Sequence, residues 1–331
     1  MTDFFLGVDA GGTKTHAALV DDKGHILGIG RESTGNWEIV GLPEAGRALQ
    51  SVVTQALGGA GVAATKCGSS TFALAGIDWD SDRSALSSLV GSFGLGGRSV
   101  VMNDAMAALY AGTPDGIGIA SVAGTGGKTV ARDGLHERES LGMALGEGGG
   151  AGQIVAEGMR IIAESFHGQR PSTSLTPLVL ATLKHSDLPS FFQAVARDGL
   201  HLPESMAPAI FDLAESGDEG CAEVVRVVAE QHARDVVGIA SGMHFADGPV
   251  RLVRAGGLHT AGSKLFDEAF NAVLDRAGLP VIPSVLDVVP VVGAVLHAAL
   301  SAGVPFTGES RMRLFEEALR LDENFWTPVI S

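Results

Sequence analysis

The first part of the chain alternates short apolar runs with polar, glycine-containing turns, a pattern typical of strands joined by hairpins. The apolar runs predict three strands, at Phe4–Val8, His16–Val20 and Ile26–Gly30. The pattern then changes, and helical spacing alternates with short buried strands. The elements predicted in this part are a helix from Pro43 to about Leu57, a strand at Ser70–Leu74, a helix at Asp82–Phe93, a strand at Ser99–Met102 and a helix over Asp104–Tyr110.

The order of strands and helices partly repeats in the second half of the chain. An apolar run over Gly116–Val122 predicts a strand, and Thr129–Arg132 predicts its return. A long helical region follows, from about Gly152 to Met243, and its last part has apolar residues on one helical face. The remaining predicted elements are a helix at Gln153–Phe166 within that region, a strand at Val250–Ala255, a helix at Ser263–Ala277 and a last helix at Glu309–Leu321. Pro290 and His297 interrupt the remaining apolar stretch, so we predict no membrane span.

The first polar turn combines an acidic residue at a strand end with two glycines, a hydroxyl and a lysine. These residues are Asp9, Gly11, Gly12, Thr13 and Lys14. Glycine permits positive φ and a close approach of the backbone to a ligand, and successive N–H groups in such a turn bind anions. Asp9 is suited to hold Mg²⁺, directly or through water. The pattern predicts a phosphate-binding hairpin, and an ordinary glycine hairpin is the alternative.

A second turn of the same kind follows the strand at Gly116–Val122. Its residues are Gly124, Thr125, Gly126, Gly127, Lys128 and Thr129. Two such hairpins facing each other across a cleft would hold one triphosphate, with Lys14 and Lys128 as local cations, and we expect the two halves to close over the substrate. Chance repetition of a glycine-rich turn is the alternative.

Composition narrows the classes of function. The chain has 331 residues, 45% of them hydrophobic and only 18% charged, and its formal net charge is −15. This length and composition suit two domains, and the acidic charge argues against nucleic acid and membrane surfaces as partners. The two cysteines have no metal-binding spacing, which fits a reducing compartment. The first residues lack the basic start of a signal peptide, so we expect a cytoplasmic protein.

Four motifs, in sequence order, resemble those of the sugar kinase, heat-shock ATPase and actin superfamily. Within it the chain is similar to the N-acetylglucosamine kinase group and the BadF/BadG/BcrA/BcrD-type ATPases. The motifs are the segment Asp9 to Lys14, Asn103-Asp104-Ala105, Gly124-Thr125-Gly126 and Ala255-Gly256-Gly257.

This resemblance implies an α/β fold with two duplicated ribonuclease H-like (actin-like ATPase) domains around a nucleotide and sugar cleft. The second domain would carry a helical insertion. The implied domains are residues 1–115 and 116–307, with a final helix at about 308–331 packing back on the first domain.

The resemblance also implies ATP and Mg²⁺ as cofactors. The implied nucleotide-binding residues are Asp9, Gly11, Gly12, Thr13, Lys14, Gly124, Thr125, Gly126, Gly256 and Gly257, with Asp9 as the magnesium residue.

Asp104 is the candidate catalytic residue, because it follows a buried strand and begins a helix. Ligands bind beyond the carboxyl ends of such strands, and the positive end of the helix dipole favours an ionised carboxylate. The resemblance implies that this carboxylate is the general base that accepts the proton of a sugar hydroxyl. The alternative is an aspartate that only caps the helix.

The implied sugar-binding residues are Asn36, Gly76, Asp104, Thr125 and Glu147. The family's sugar-contacting asparagine matches either Gly35 or Asn36, and we choose Asn36. Asp78 is either a ligand contact or a solvated loop residue, and Trp37 is either a sugar platform or a packing residue.

One segment departs from the family pattern. The related kinases carry Gly-Asp-Glu-Gly-Ser after the second hairpin, whereas this chain has Glu147 and Gly148 at the two acidic positions. Glu147 is either a sugar contact in an altered pocket or a capping residue in a glycine-rich loop.

The first functional hypothesis is ATP-dependent phosphorylation of an amino sugar at its 6-hydroxyl, with N-acetylglucosamine first and glucosamine next. The partners would be the amino sugar and ATP, in a homodimer. A BadF-type ATPase that activates an electron-transfer enzyme is the alternative, and it would need cysteines from two subunits for an iron–sulfur cluster. A sugar-responsive repressor would need an N-terminal helix-turn-helix, and a binding protein without catalysis is the last alternative.

Overall fold

Two five-stranded sheets form the framework of the computed structural model, which describes residues 3–142, 146–246 and 248–321. The strands of the first sheet lie in the order β3-β2-β1-β4-β5. β1 pairs antiparallel with β2 and parallel with β4, and β4 pairs parallel with β5. The bounds of these strands are β1 Phe4–Ala10, β2 Thr15–Asp21, β3 Ile26–Glu32, β4 Cys67–Leu74 and β5 Arg98–Asn103.

The second sheet repeats this arrangement strand for strand. Its order is β10-β9-β6-β7-β8, with β6 antiparallel to β7 and parallel to β9. Its strands are β6 Gly118–Ala123, β7 Gly127–Arg132, β8 Glu137–Glu139, β9 Val250–Ala255 and β10 Val281–Val285. The predicted fold class, an α/β protein with two duplicated actin-like domains, is confirmed.

Helices cover both sheets, and most of the additional chain of the second half is helical. The helices of the first half are α1 Trp37–Val40, α2 Leu42–Ala60, α3 Asp80–Gly91 and α4 Asp104–Gly112. Those of the second half are α5 Ala151–Phe166, α6 Leu175–Leu183, α7 Leu188–Asp198, α8 Ala207–Glu215, α9 Glu219–Ala240, α10 Gly257–Thr260, α11 Lys264–Ala277, α12 Val291–Ser301 and α13 Gly308–Arg320.

The helix after the last strand of each sheet contacts the other half of the molecule. α4 follows β5 and lies between the two sheets, in contact with β4 of the first and with β6, β7 and β9 of the second, whereas α12 follows β10 but packs on β1, β2 and β4. The two helices cross each other at Gly293, where a Cβ atom would lie 1.8 Å from the carbonyl oxygen of Ala107. Only glycine permits so close an approach of two backbones, so this residue fixes the crossing point between the halves.

α12 and β10 differ from the sequence expectations, which contained neither element. The sequence pattern treats Pro290 as an interruption of an apolar stretch, but this proline lies at the N-cap of α12, where its lack of an N–H costs nothing. His297 is tolerated inside this buried helix because its Nδ1 lies 2.9 Å from Oγ1 of Thr71. β10 contains Pro283, which an edge strand can accommodate.

The last described helix, α13, contacts the first half of the chain. Glu317 accepts a hydrogen bond from the backbone N–H of Ile26 at 2.6 Å, and Arg311 donates to the carbonyl oxygens of Tyr110, Ala111 and Thr113. The part of the predicted final helix at residues 322–331 lies outside the described residues. Within the described ranges, no helix combines the length and the apolar character needed to cross a bilayer.

Candidate active site

Two carboxylates lie at the carboxyl ends of strands of the first sheet. Asp9 is near the end of β1, and Asp104 is the first residue after β5. Burial raises the pKa of both groups, that of Asp9 to about 7 and that of Asp104 to about 6. The charge of Asp104 contributes to the shift of Asp9, so the two carboxylates face one region. Carboxylates with raised pKa values at a strand edge are typical of active sites.

Asn103, rather than Asp104, caps helix α4. The Asn103 side chain accepts a hydrogen bond from the backbone N–H of Ala105 at 3.0 Å, and its amide donates to the carbonyl oxygen of Ile77. Asp104 also accepts from Ala105 at 3.0 Å, but within the described residues its carboxylate forms no ion pair. Helix capping is therefore not a sufficient reason for a carboxylate at position 104. The carboxylate of Asp104 can act on a bound ligand.

The first glycine turn is held by a hydrogen bond of 2.9 Å from the N–H of Gly11 to the carbonyl oxygen of Lys14. Neither Gly11 nor Gly12 has a positive φ, in contrast to the sequence expectation. The two turns lie close together, because a Cβ atom on Gly12 would be in ordinary van der Waals contact, at 3.7 Å, with Cγ2 of Thr125 in the second turn. The two predicted phosphate hairpins therefore face each other across a narrow cleft. Burial lowers the pKa of Lys14 beside them.

The second glycine turn is equally tight and faces open space. Gly124 donates to the carbonyl oxygen of Gly126 at 2.9 Å, and Cβ atoms built on these two glycines would meet nothing within 4 Å. The turn is held from behind, because the backbone N–H of Ala151, at the start of α5, donates to the carbonyl oxygen of Gly124 at 2.8 Å. Gly256 has φ of 90° and lies against Ala123. The predicted adenosine motif, Gly256 and Gly257, thus adjoins the second hairpin.

Lys128 makes contacts that the sequence did not indicate. It was expected as a phosphate cation, but its ammonium binds Oδ1 of Asp78 at 2.7 Å and lies 3.5 Å from Oε2 of Glu139. Asp78 belongs to the first half of the chain and Lys128 to the second, so this buried pair joins the two walls of the cleft. The charge of Lys128 also lowers the pKa of Asp104, opposing the effect of burial.

The predicted sugar-side residues Asn36 and Gly76 lie together. Asn36 is the N-cap of α1, and its Oδ1 accepts from the backbone N–H of Glu38 at 2.9 Å. Trp37 donates from its indole nitrogen to the carbonyl oxygen of Gly76 at 2.6 Å, which ties this turn to the segment after β4. Gly76 has φ of 77° and leaves no room for a side chain beside Asn36. Burial is the largest cause of the raised pKa of Glu38, and the charge of nearby Asp78 raises it further.

The loop at residues 146–150 is held by helix α9. The backbone N–H of Gly148 donates to Oδ2 of Asp235 at 2.7 Å, and Nε2 of His232 lies 2.7 Å from the carbonyl oxygen of Gly149. A Cβ atom on Gly148 would lie 2.5 Å from Cγ of His232. The ring of His232 thus occupies the space that a side chain at position 148 would need.

Sequence reasoning missed both residues of α9 at this loop. They are far from the loop along the chain, and the only signal is their spacing of three, which places them on one face of a helix. Burial raises the pKa of Asp235 to about 6 against the hydrogen bond from Gly148, and the charge of Glu147 raises it further, so these two carboxylates are close. Asp235 therefore joins Glu147 as an acidic group beside the second hairpin.

A magnesium ion would find a suitable donor in Asp9. Mg²⁺ is commonly held by one or two carboxylates together with substrate phosphates and waters. Within the described residues no three His, Cys, Asp or Glu side chains cluster as a protein-only metal site. Burial and the charge of Asp104 raise the pKa of Asp9, Lys14 opposes them, and a bound cation would favour the ionised form further. Asp9 thus fits the role of magnesium residue on chemical grounds.

Comparisons with known proteins agree with this architecture. The profile of the BadF/BadG/BcrA/BcrD ATPase family matches residues 6–298. The N-acetylmuramic acid/N-acetylglucosamine kinase of Clostridium acetobutylicum is 26% identical over 273 residues, which cover 80% of this chain and 88% of that protein. The N-acetyl-D-glucosamine kinase of Dictyostelium discoideum is 28% identical over 66% of this chain and 73% of its own length.

Solved structures show the same fold. A protein of Chromobacterium violaceum, provisionally assigned as an N-acetylglucosamine kinase, superposes with a TM-score of 0.66 at 20% identity. The match covers 89% of this chain and 98% of that protein.

Proposed function

The chain belongs to the BadF/BadG/BcrA/BcrD ATPase family, and we propose that it transfers the γ-phosphate of ATP to the 6-hydroxyl of an amino sugar. The observation that carries this proposal is the half-buried carboxylate of Asp104, which interacts electrostatically with Asp9 before the first hairpin and with Lys128 in the second, and which forms no ion pair within the described residues. Its position fits a base for a hydroxyl acceptor. The second glycine turn, with open space before it, fits the binding of a polyphosphate donor.

Each group then has a chemical task. Asp104 accepts the proton of the attacking hydroxyl, which a carboxylate with pKa near 6 can do at neutral pH. The N–H groups of the two hairpins bind the phosphates, and Lys14 adds positive charge. Asp9 would hold the magnesium ion, which neutralises phosphate charge when bound. Transfer of this kind depends chiefly on positioning and electrostatic stabilisation.

N-acetylglucosamine is the first candidate for the sugar, and glucosamine is the second. The names of both curated relatives include N-acetylglucosamine, and that of the Clostridium protein includes N-acetylmuramic acid as well. Asn36, Gly76, Thr125 and Glu147 would supply the polar contacts that fix a sugar in its pocket. Gly148 stands where the resemblance implies an acidic residue. The preference among these amino sugars therefore has to be measured.

The alternative of an electron-transfer activator receives no support from the cysteines. A cluster shared by two subunits needs thiolates at a subunit surface. Cys67 and Cys221 are both buried, at 1% and 0% exposure. Burial also raises the pKa of each thiol, to about 11 and about 12, which disfavours the thiolate that binds iron.

A coupled assay over hexoses and amino sugars tests the proposed function. We expect ADP release that depends on N-acetylglucosamine or glucosamine, with a 6-phosphate identified by ³¹P and ¹³C NMR of the product. N-acetylmuramic acid and glucose belong in the same screen. ADP release at the same rate with and without every sugar would overturn the proposal, as would phosphorylation at the anomeric hydroxyl.

Replacing Glu147 with alanine should raise the KM for the sugar far more than the KM for ATP. Loss of a hydrogen bond to a charged group costs roughly 1.5–3 kcal/mol, or about one to two decades in affinity. The matched control is Glu219→Ala, because Glu219 is in the same half of the chain and its side chain is 90% exposed. Equal, small effects of Glu147→Ala on both KM values would show that this residue only supports its loop.

A further inference from the structure

A chain of buried polar side chains links the core of the second half to the loop after the second hairpin. Nε of Arg254, in β9, lies 3.0 Å from Nδ1 of His259, and Nε2 of His259 lies 3.1 Å from Oγ of Ser121 in β6. Oγ of Ser121 lies 3.4 Å from Nδ1 of His232, whose Nε2 lies 2.7 Å from the carbonyl oxygen of Gly149. All four side chains are almost completely shielded from solvent.

The chemistry of arginine sets the direction of every hydrogen bond in this chain. A guanidinium can only donate, so Nδ1 of His259 must accept and its Nε2 must carry the proton. Ser121 then accepts from His259 and donates to Nδ1 of His232, which leaves the proton of His232 on Nε2. That proton points to the carbonyl oxygen of Gly149, which can only accept. Every donor in the chain therefore has its acceptor.

Both histidines are neutral at physiological pH, as this arrangement requires. Burial lowers the pKa of His232 to about 4, and it lowers that of His259 well below the ordinary value, with the charge of Arg254 acting in the same direction. Asp267, at the solvent end, forms an ion pair with Arg254. The centre of the Phe270 ring lies 4.9 Å from the guanidinium carbon of Arg254. The starting donor is thus fixed in place and always charged.

The final hydrogen bond holds a loop that touches the phosphate hairpin directly. A Cβ atom on Gly127 would lie 2.0 Å from the carbonyl oxygen of Gly148, and one on Gly150 would lie 2.2 Å from that of Gly124. These backbones are in contact, so the loop cannot move without moving the hairpin. Ser121 lies in the strand that leads into the same hairpin.

We propose that His232 is the positioning residue of the phosphate and sugar site: its Nε2–H, directed by Arg254 through His259 and Ser121, fixes the loop at residues 146–150 against the second hairpin. This proposal rests on the proposed kinase function for its kinetic consequence. His232 acts through Gly149, and its ring takes the volume that an acidic side chain at position 148 would occupy.

Two substitutions separate this hydrogen bond from simple filling of the core. In His232→Gln the amide nitrogen can reach the position of Nε2, whereas in His232→Asn the shorter amide reaches only the position of Nδ1. We expect His232→Asn to lower kcat/KM for the sugar by about tenfold or more, since a buried carbonyl would lose its donor. His232→Gln should keep at least about fivefold more kcat/KM than His232→Asn. His201→Gln, at an exposed histidine, is the control.

Two further measurements distinguish the hydrogen bond from simple filling of the core. They are the affinity for an ATP analogue and the protonation of the histidine ring nitrogens. Because the loop contacts the second phosphate hairpin, His232→Asn should bind the analogue more weakly than His232→Gln, measured well below their unfolding temperatures. In ¹⁵N-labelled parent protein, long-range NMR correlations should show His232 and His259 as neutral Nε2–H tautomers. Ser121→Ala removes the hydroxyl between the two histidines. In this variant we expect the ¹⁵N chemical shifts of the His232 ring and of the Gly149 backbone amide to change.

Equal kcat/KM values for the Gln and Asn variants would overturn the proposal, and so would an Nδ1–H tautomer of His232. These outcomes are separate from failure of the kinase function. If no sugar is phosphorylated by the parent protein, the NMR tautomers still support or refute the hydrogen-bond chain, whereas a working kinase with two equal variants refutes the positioning role alone.

Discussion

Replacing Asp104 with asparagine should lower sugar-dependent turnover about 10²- to 10⁴-fold, the range expected when a general base is lost. Asparagine has nearly the same shape, and its oxygen can still accept the hydrogen bond from Ala105. Asn103 would continue to cap helix α4. We therefore expect an unchanged unfolding temperature and unchanged binding of ATP, measured by calorimetry beside the kinetic assay.

The control for this variant is Asp198→Asn, at an exposed aspartate near the end of α7. The pH profile of the parent enzyme adds a second check. The raised pKa of Asp104, about 6, means that the active carboxylate form is lost as pH falls through that value. At saturating ATP and Mg²⁺, which favour the ionised form of Asp9, sugar-dependent kcat/KM should therefore fall about tenfold for each unit below pH 6, and this limb should be missing in Asp104→Asn. Near-parental turnover in the variant would remove Asp104 from the mechanism.

Replacing Lys128 with methionine should destabilise the protein and move the acid limb of the pH profile to higher pH. The Lys128–Asp78 pair is mostly buried, with the two side chains 10% and 15% exposed. Removing one partner leaves the other charge uncompensated, at a cost of about 3 kcal/mol in the free energy of unfolding. Asp104 also loses the cation that favours its ionised form, so its pKa rises.

Urea denaturation and a pH series of kcat/KM would measure both effects. The exposed Lys264→Met is the matched control. In the double variant with Asp78→Asn, the loss of stability should be smaller than the sum of the single losses, because the lone buried carboxylate is removed. An acid limb at the same pH in Lys128→Met and the parent protein would show that this ammonium does not act on the base.

Sequence predicted the parts of this molecule that depend on local chain chemistry. The two glycine turns, the strands before them and the motif around Asp104 are contiguous segments, so their residue order was sufficient. The fold class and the family followed from the spacing of these motifs, and both are confirmed. The roles of Asp9, Asp104 and Glu147 stay predictions for the experiments above.

The remaining features depend on contacts between distant segments. Lys128 stands in a phosphate-like motif, yet its partner Asp78 becomes visible only when two halves of the chain are brought together. His232 looks like a polar residue on an amphipathic helix, and nothing in its neighbourhood along the chain indicates Gly148 or Gly149. The helix α12 is not evident from the sequence, because Pro290 stands at its N-cap and His297 inside it is accommodated by Thr71 of a distant strand.

Helices α4 and α12 tie the two halves of the chain together. α12 lies on the sheet of the first half, α4 contacts both sheets, and the two helices meet at Gly293 and Ala107. Because both sheets are joined through this one crossing, a side chain at position 293 would push the helices apart and alter the spacing of the two halves, far from any residue of the phosphate hairpins.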